Sequence, residues 1–413
     1  MEHDTPVRPL PVFNNPEVSI IIPVYNAWAM NVNCVKSILE NTTDISYEVI
    51  IADDCSTDKT KEISQYFPNI VHIRNEVNLG FIANCNHAAI HARGKYVHFL
   101  NNDTEVRPGW LSSLVSLFDK DDKIGMAGSK LVYPDGRLQE AGGIIWDDAS
   151  GWNFGNGRNP DDPEFNYVKE VDYISGASIM VRTDIWKEMG GFDTLYSPAY
   201  CEDSDLSFRL REKGYKVVYQ PLSVVIHYEG YSHGTDTAKS EISSVKEYQR
   251  INNQKFFNRW KAVLQRDQLP NGQDVFWARE RSKGRKTLLM VDHYVPQFDK
   301  DAGSRTTFQY LELFVKLGYN VKFLGENFYR HEPYTTVLQQ MGIEVLYGQW
   351  YASNWKRWFL ENKEKFDYIY LNRPHISIHF IDFFREHSKA RIIYYGHDLH
   401  FLRNQKQYEI HKD

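Results

Sequence analysis

The chain has 413 residues, 42% hydrophobic and 25% charged, with a formal net charge of -6. Such a length exceeds one ordinary core and predicts two or three domains, and the acidic balance offers no global attraction for nucleic acid. The cysteines Cys34, Cys55, Cys85 and Cys201 lack metal-ligand spacing and read as reduced thiols, Met1-Glu2-His3-Asp4 lacks the apolar core of a signal peptide, and no apolar run reaches membrane-spanning length, so a cytoplasmic protein is expected, with peripheral association at the inner face of the membrane left open.

Residues 1–16 are proline-rich and read as an irregular lead-in. The β-branched run from Val18, closed by Pro23, Tyr25 and Asn26, predicts a buried strand and loop. A helical stripe of Val32, Val35, Ile38 and Leu39 follows. A second strand, Tyr47 to Ala52, ends in Asp53-Asp54. A helix over Lys59–Tyr66 and a short strand over Ile70–Arg74 are expected next. Asn78-Leu79-Gly80-Phe81 opens a further helix, and the strand Tyr96 to Leu100 breaks into Asn101-Asn102-Asp103. Alternating β and α segments with short connections predict a doubly wound, mostly parallel sheet. Neither a dinucleotide fingerprint nor a P-loop is present.

Beyond it, a helix is expected from Trp110 to Phe118 and a strand from Ile124 to Tyr133. Residues 146–168 form a long loop of the kind that often binds or covers ligands. The strand Tyr173–Val181 carries Gly176 and Ala177 at its centre, which permits close approach to the backbone. Glu202-Asp203-Ser204-Asp205 opens a helix, and short strands at Val217–Tyr219 and Val224–Ile226 lead to His227. A charged helix with Phe256, Phe257 and Trp260 and a basic linker follow. Strands near 287–291, 321–324, 343–346, 368–371 and 392–395 predict a second parallel sheet, Rossmann-like. The expected domains are 17–235, a helical extension and linker over 236–285, and 286–413.

Four polar clusters thus fall at strand ends or helix starts of the first domain: Asp53/Asp54, Asn102/Asp103, Glu202/Asp203/Asp205 and His227. Each has a plain reading, as helix cap, first-turn acid or half-buried histidine. Ligands bind beyond the carboxyl ends of strands in open α/β sheets, so all four together point to a site. A carboxylate there suits a divalent cation, and a cation suits a diphosphate.

The motifs Val18-Ser-Ile-Ile-Ile-Pro-Val-Tyr-Asn26, Ala52-Asp-Asp-Cys-Ser-Thr-Asp58, Asn78-Leu-Gly-Phe81, Phe99-Leu-Asn-Asn-Asp-Thr104, Ser175-Gly-Ala177, Glu202-Asp-Ser-Asp-Leu206 and His227-Tyr-Glu-Gly-Tyr-Ser232 stand in the order of one family. Over roughly residues 18–260 the chain resembles family 2 glycosyltransferases of the inverting GT-A type, most of all the subgroup that builds bacterial surface polysaccharides. The resemblance implies a nucleotide site of Pro23, Tyr25, Asn26, Asp53, Asp54, Asn78, Gly80 and Asn102. It implies Asp103 and His227 as ligands of Mn2+ or Mg2+, with Asn101 standing where the family's first aspartate would be. It implies Asp203 as general base, Glu202 and Asp205 as positioning groups, and Gly176 and Ala177 beside the sugars. The implied donor is a UDP, dTDP or GDP sugar and the implied acceptor a glycan or lipid-linked glycan. Asp301-Ala-Gly-Ser-Arg305 and Tyr395-Gly-His-Asp-Leu-His400 resemble, more loosely, the N-terminal half of a GT-B enzyme of family 4. That implies a catalytically incomplete second domain whose nucleotide-binding half is missing, with His397 and Asp398 on the acceptor side or in a buried turn. A nucleotidyltransferase and a non-catalytic glycan-binding module are the alternatives. The lack of a Gly-rich basic triphosphate loop argues against the first, and the presence of Asp103, Asp203 and His227 against the second.

Overall fold

The computed structural model describes residues 7–229, 238–396 and 400–411. Residues 1–6 of the lead-in, Gly230 to Ser232 of the last motif, His397 and Asp398 lie outside the described residues. The chain divides into two compact units, one of residues 1–160 and 169–281, the other of residues 161–168 and 282–413. Both are α/β.

The first unit begins β1 (Val18–Val24), β2 (Tyr47–Asp53), β3 (Val71–Arg74), β4 (Tyr96–Leu100) and β5 (Thr104–Val106). It continues with β6 (Ile124–Val132), β7 (Leu138–Glu140), β8 (Gly143–Ile145), β9 (Gly151–Asn153), β10 (Lys169–Glu170), β11 (Ser178–Arg182) and β12 (Lys216–His227). The main sheet runs β10-β12-β6-β11-β4-β1-β2-β3, with β5 on β12 and β7 on β6. Strands β1 to β4 are parallel, whereas β11 runs antiparallel to both β4 and β6. Ile20, Ile21 and Ile22 are fully buried, as a central strand with helices on both faces requires. The helices Trp28–Asn41 and Trp110–Lys120 bury Val32, Val35 and Ile38, and Trp110, Leu111, Leu114 and Phe118, respectively. That is the spacing of one helical face.

Two expected strands differ. Only Ser178–Arg182 of the run from Tyr173 pairs in the sheet. Ser178 N–H instead closes a turn on Ser175 O at 3.2 Å, which frees Ser175 to Ala177 from the ladder. Conversely, Val217–Tyr219 and Val224–Ile226 belong to one strand, β12, with a register shift between Gln220 and Val224. Pro221 lacks an N–H, and an irregularity there spares the ladder a missing donor. The expected long loop contains β9, which pairs antiparallel with β8 just before it. The helix Ala238–Asp267 buries Phe256 and Trp260, whose rings lie 5.0 and 5.4 Å from Phe208.

The second unit is built on β13 (Thr287–Asp292), β14 (Asn320–Gly325), β15 (Glu344–Leu346), β16 (Tyr368–Asn372) and β17 (Arg391–Tyr395). All are parallel, in the order β15-β14-β13-β16-β17. Helix Ala302–Lys316 is capped by Asp301, whose Oδ1 accepts from Ser304 N–H at 2.7 Å. Among the described residues, no helix is long and apolar enough to cross a membrane.

Candidate active site

An open cavity of about 440 Å³ lies in the first unit. The carboxyl ends of β1 and β2 supply one wall with Pro23, Tyr25 and Asp54. The Asp54 carboxylate is buried and accepts from Leu79 N–H at 2.7 Å, Gly80 N–H at 2.9 Å and Asn75 Nδ2 at 3.0 Å. It thereby fixes the Asn78–Gly80 loop, which also lines the cavity. Gly80 has φ +78, and a Cβ there would stand 3.1 Å from Pro198 Cβ, so both backbone angle and close packing favour glycine.

Asp53 and Asn26 have other roles. Asp53 is fully buried and does not line the cavity. It accepts from Ser56 N–H at 2.8 Å and Arg74 at 2.5 Å, and lies 3.2 Å from His72 Nε2. Burial raises its pKa, but the bonds from His72, Ser56 and Arg74 prevail and hold it at about 2. Asn26, with φ 57, accepts from Thr57 N–H at 2.7 Å and so shapes the loop after β2.

Asn101 and Asn102, past the end of β4, line the same cavity. Asn101 N–H donates to Ala177 O at 3.0 Å, and Asn102 Nδ2 to Asn31 Oδ1 at 2.7 Å. Asp103, the next residue, is nearly fully buried, with Oδ1 3.3 Å from His227 Nε2. The antiparallel pairing of His227 with Thr104 brings these residues together. Among the described residues no three His, Cys, Asp or Glu side chains converge on a cation site. Neither Asp103 nor His227 lines the cavity, and their separation alone is compatible with two ligands of one cation. Donor atoms each about 2.1 Å from a metal stand about 3 Å apart when adjacent, and such cations commonly take their remaining ligands from water and phosphate.

Glu202 and Asp203 open the helix Glu202–Glu212 and face the cavity with Gly176 and Ala177. Asp203 Oδ2 accepts from Gly176 N–H at 3.0 Å and Oδ1 from Ser204 N–H at 2.6 Å. Glu202 Oε2 is buried and has no hydrogen-bond partner among the described residues. Burial, then the Asp203 charge, pushes the Glu202 carboxyl up to about 8. Burial raises Asp203 too, against the amide bonds from Ser204 and Gly176 that favour its charged form. Burial and the closeness of two carboxylates thus favour a proton within the pair, while the two amide donors favour charge on Asp203. Asp205 points elsewhere. Fully buried and absent from the cavity wall, it accepts from Arg209 Nε at 2.7 Å, Trp260 Nε1 at 2.9 Å and Tyr196 OH at 3.1 Å.

Sequence reasoning did not single out Asn84, Ala199 or Tyr200, which also line the cavity, nor Gln139, whose Oε1 lies 3.0 Å from His227 Nδ1. None sits in a polar cluster at a strand end, so no sequence signal marks them.

Residues 19–187 match the family model described as glycosyl transferase family 2. The chain is 30% identical over 237 residues to the O-antigen biosynthesis protein RfbC of Myxococcus xanthus, covering 55% of this chain and 18% of that protein. It is 27% identical over 227 residues to an N-acetylglucosaminyl-diphospho-decaprenol L-rhamnosyltransferase of Mycobacterium tuberculosis, covering 48% of this chain and 72% of that one. A crystal structure of GalNAc-T7 with UDP, GalNAc and Mn2+ superposes with a TM-score of 0.45 at 18% identity, over 52% of this chain and 45% of that one. The chain thus spans less than a fifth of the length of the first relative and nearly three quarters of the second. The motifs and the matched residues point the same way: residues 19–187, nearly all in the first unit, are similar to glycosyltransferase family 2.

Proposed function

We propose that this domain is an inverting glycosyltransferase that moves a sugar from a nucleoside-diphosphate donor to a hydroxyl of a growing bacterial surface glycan. The observation that carries the reading is one cavity lined both by Asp54, Asn78 and Asn102 and by the Glu202–Asp203 pair. A nucleotide needs the first set and proton transfer the second.

In this reading Pro23 and Tyr25 lie against the base, and the Asp54-anchored loop holds the ribose. Asp203, kept anionic by two amide donors, takes the proton of the acceptor hydroxyl as its oxygen bonds to the anomeric carbon. The bond from that carbon to the diphosphate breaks, its electron pair leaves with the diphosphate, and the configuration inverts. Neutral Glu202 uses its unengaged Oε2 to hold a sugar oxygen. Asp103 and His227 would hold a divalent cation, Mn2+ or Mg2+, which when bound supplies positive charge to the departing diphosphate. Donors with UDP, dTDP or GDP all suit the site, and the acceptor is a glycan or a lipid-linked glycan met at the membrane surface. We further read residues 286–413 as similar to the acceptor-side half of a GT-B enzyme.

The test is incubation with a panel of UDP, dTDP and GDP sugars, reading nucleotide release with and without glycan acceptors. Asp203→Asn should lower transfer by about 10²- to 10⁴-fold while nucleoside-diphosphate binding, read by calorimetry, stays intact. Unchanged turnover in that variant would overturn the assignment.

A further inference from the structure

We propose that Gln139 is a positioning residue that fixes the tautomer of His227 so that the nitrogen facing Asp103 keeps its lone pair. The proposal rests on the reading of Asp103 and His227 as the cation pair. Strand β7 pairs with β6 through Leu131 opposite Glu140 and Val132 opposite Leu138, with an irregularity between them. Gln139 is the extra residue at that point, and such irregularities re-aim a side chain. Its amide is buried between two groups. Nε2 donates to Glu229 Oε2 at 2.9 Å, and Oε1 lies 3.0 Å from His227 Nδ1.

The polarity of this chain is set from its outer end. A carboxylate oxygen accepts, so the Gln139 amide must turn its nitrogen to Glu229. Its oxygen then faces His227 and can only accept, so Nδ1 carries the hydrogen. In the neutral imidazole that a cation requires, Nε2 is then the electron-pair donor, and it points at Asp103 Oδ1, 3.3 Å away. Imidazoles that bind metals are commonly oriented by a hydrogen bond from the other nitrogen. Here the acceptor is a neutral amide, itself fixed by Glu229. The bond leaves the net charge of the Asp103–His227 pair unchanged.

The test is Mn2+ titration of the full chain, alone and with UDP, GDP or dTDP. It is read by calorimetry and by electron spin-echo modulation from a coordinated ¹⁴N. Gln139→Leu should weaken Mn2+ about 10- to 100-fold and, at saturating Mn2+, lose the nitrogen modulation. The double exchange Gln139→Glu with Glu229→Gln keeps an acceptor facing Nδ1 and should retain both within about threefold of the parent. Glu229→Ala, at an exposed position that spares folding, frees the amide to flip and should weaken Mn2+ in the same direction. Nitrogen modulation and affinity unchanged in Gln139→Leu, or in Glu229→Ala if the former does not fold, overturn the role of Gln139 alone. Mn2+ bound by the parent without nitrogen modulation, or not bound at all, overturns the cation-pair reading and the proposal with it.

Discussion

The amide of Gly176 donates to Asp203 Oδ2 at 3.0 Å, so the loop that leads into β11 holds the carboxylate that starts the helix Glu202–Glu212. A Cβ at Gly176 would stand 3.7 Å from Asp203 Oδ2 and 3.8 Å from Glu202 Oε1. The position is thus open to a small side chain, but that side chain would occupy the space over both carboxylates. Gly176→Val should lower kcat/KM at least about 10-fold through displaced substrate, with a melting temperature close to the parent's. Steady-state kinetics and thermal melts on the same preparation check this.

The proton on Glu202 gives a pH signature. Its carboxyl sits at about 8, raised first by burial and then by the Asp203 charge. Below that pH the pair carries one negative charge and Glu202 can donate; above it two charges face each other and the donor is lost. The rate of the parent should therefore fall as pH rises through about 8. Glu202→Gln keeps a donor that does not ionise, so its rate should stay level over the same range. An alkaline fall of equal size in both would show that another group is responsible.

Asp53 serves stability. Its folded pKa of about 2 lies below the ordinary 3.8. A depressed carboxylate contributes stability above the unfolded value that is lost as pH falls through the folded one, here from about 3.8 to about 2. The contribution is about 2 kcal/mol at neutral pH. Thermal melts from pH 6 downward should show a steep fall in that window for the parent. Asp53→Asn should start lower at pH 6 and fall less.

Asp205 separates structure from chemistry within four residues of sequence. It is fully buried under bonds from Tyr196, Arg209 and Trp260. Removing one member of such a buried set costs about 3–5 kcal/mol, so Asp205→Ala should lower the melting temperature by at least about 6 °C. Asp203→Asn should leave the melting temperature near the parent's. A small shift for Asp205→Ala would mean that helix Ala238–Asp267 is held mainly by Phe256 and the Trp260 ring.

The alternation of apolar runs with helical stripes was enough to determine the α/β class of both units and to place Asp54, Asn102, Asp103 and Asp203 at strand ends or a helix start. Those positions follow from local chemistry: β-branched runs bury, and polar residues follow where the sheet ends. Which member of each cluster reaches the cavity was decided only in three dimensions. Asp53 and Asp54 are neighbours in extended chain and turn to opposite sides, so one meets Arg74 and the other the Asn78–Gly80 loop. Asp203 and Asp205 lie two apart on a helix, about 200° around its axis, so one meets Gly176 and the other Trp260. Gln139 had no sequence signal because its partners, His227 and Glu229, stand some ninety residues further on. Their approach depends on β7 joining β6 and on β12 pairing with both β6 and β5, contacts that no local pattern encodes.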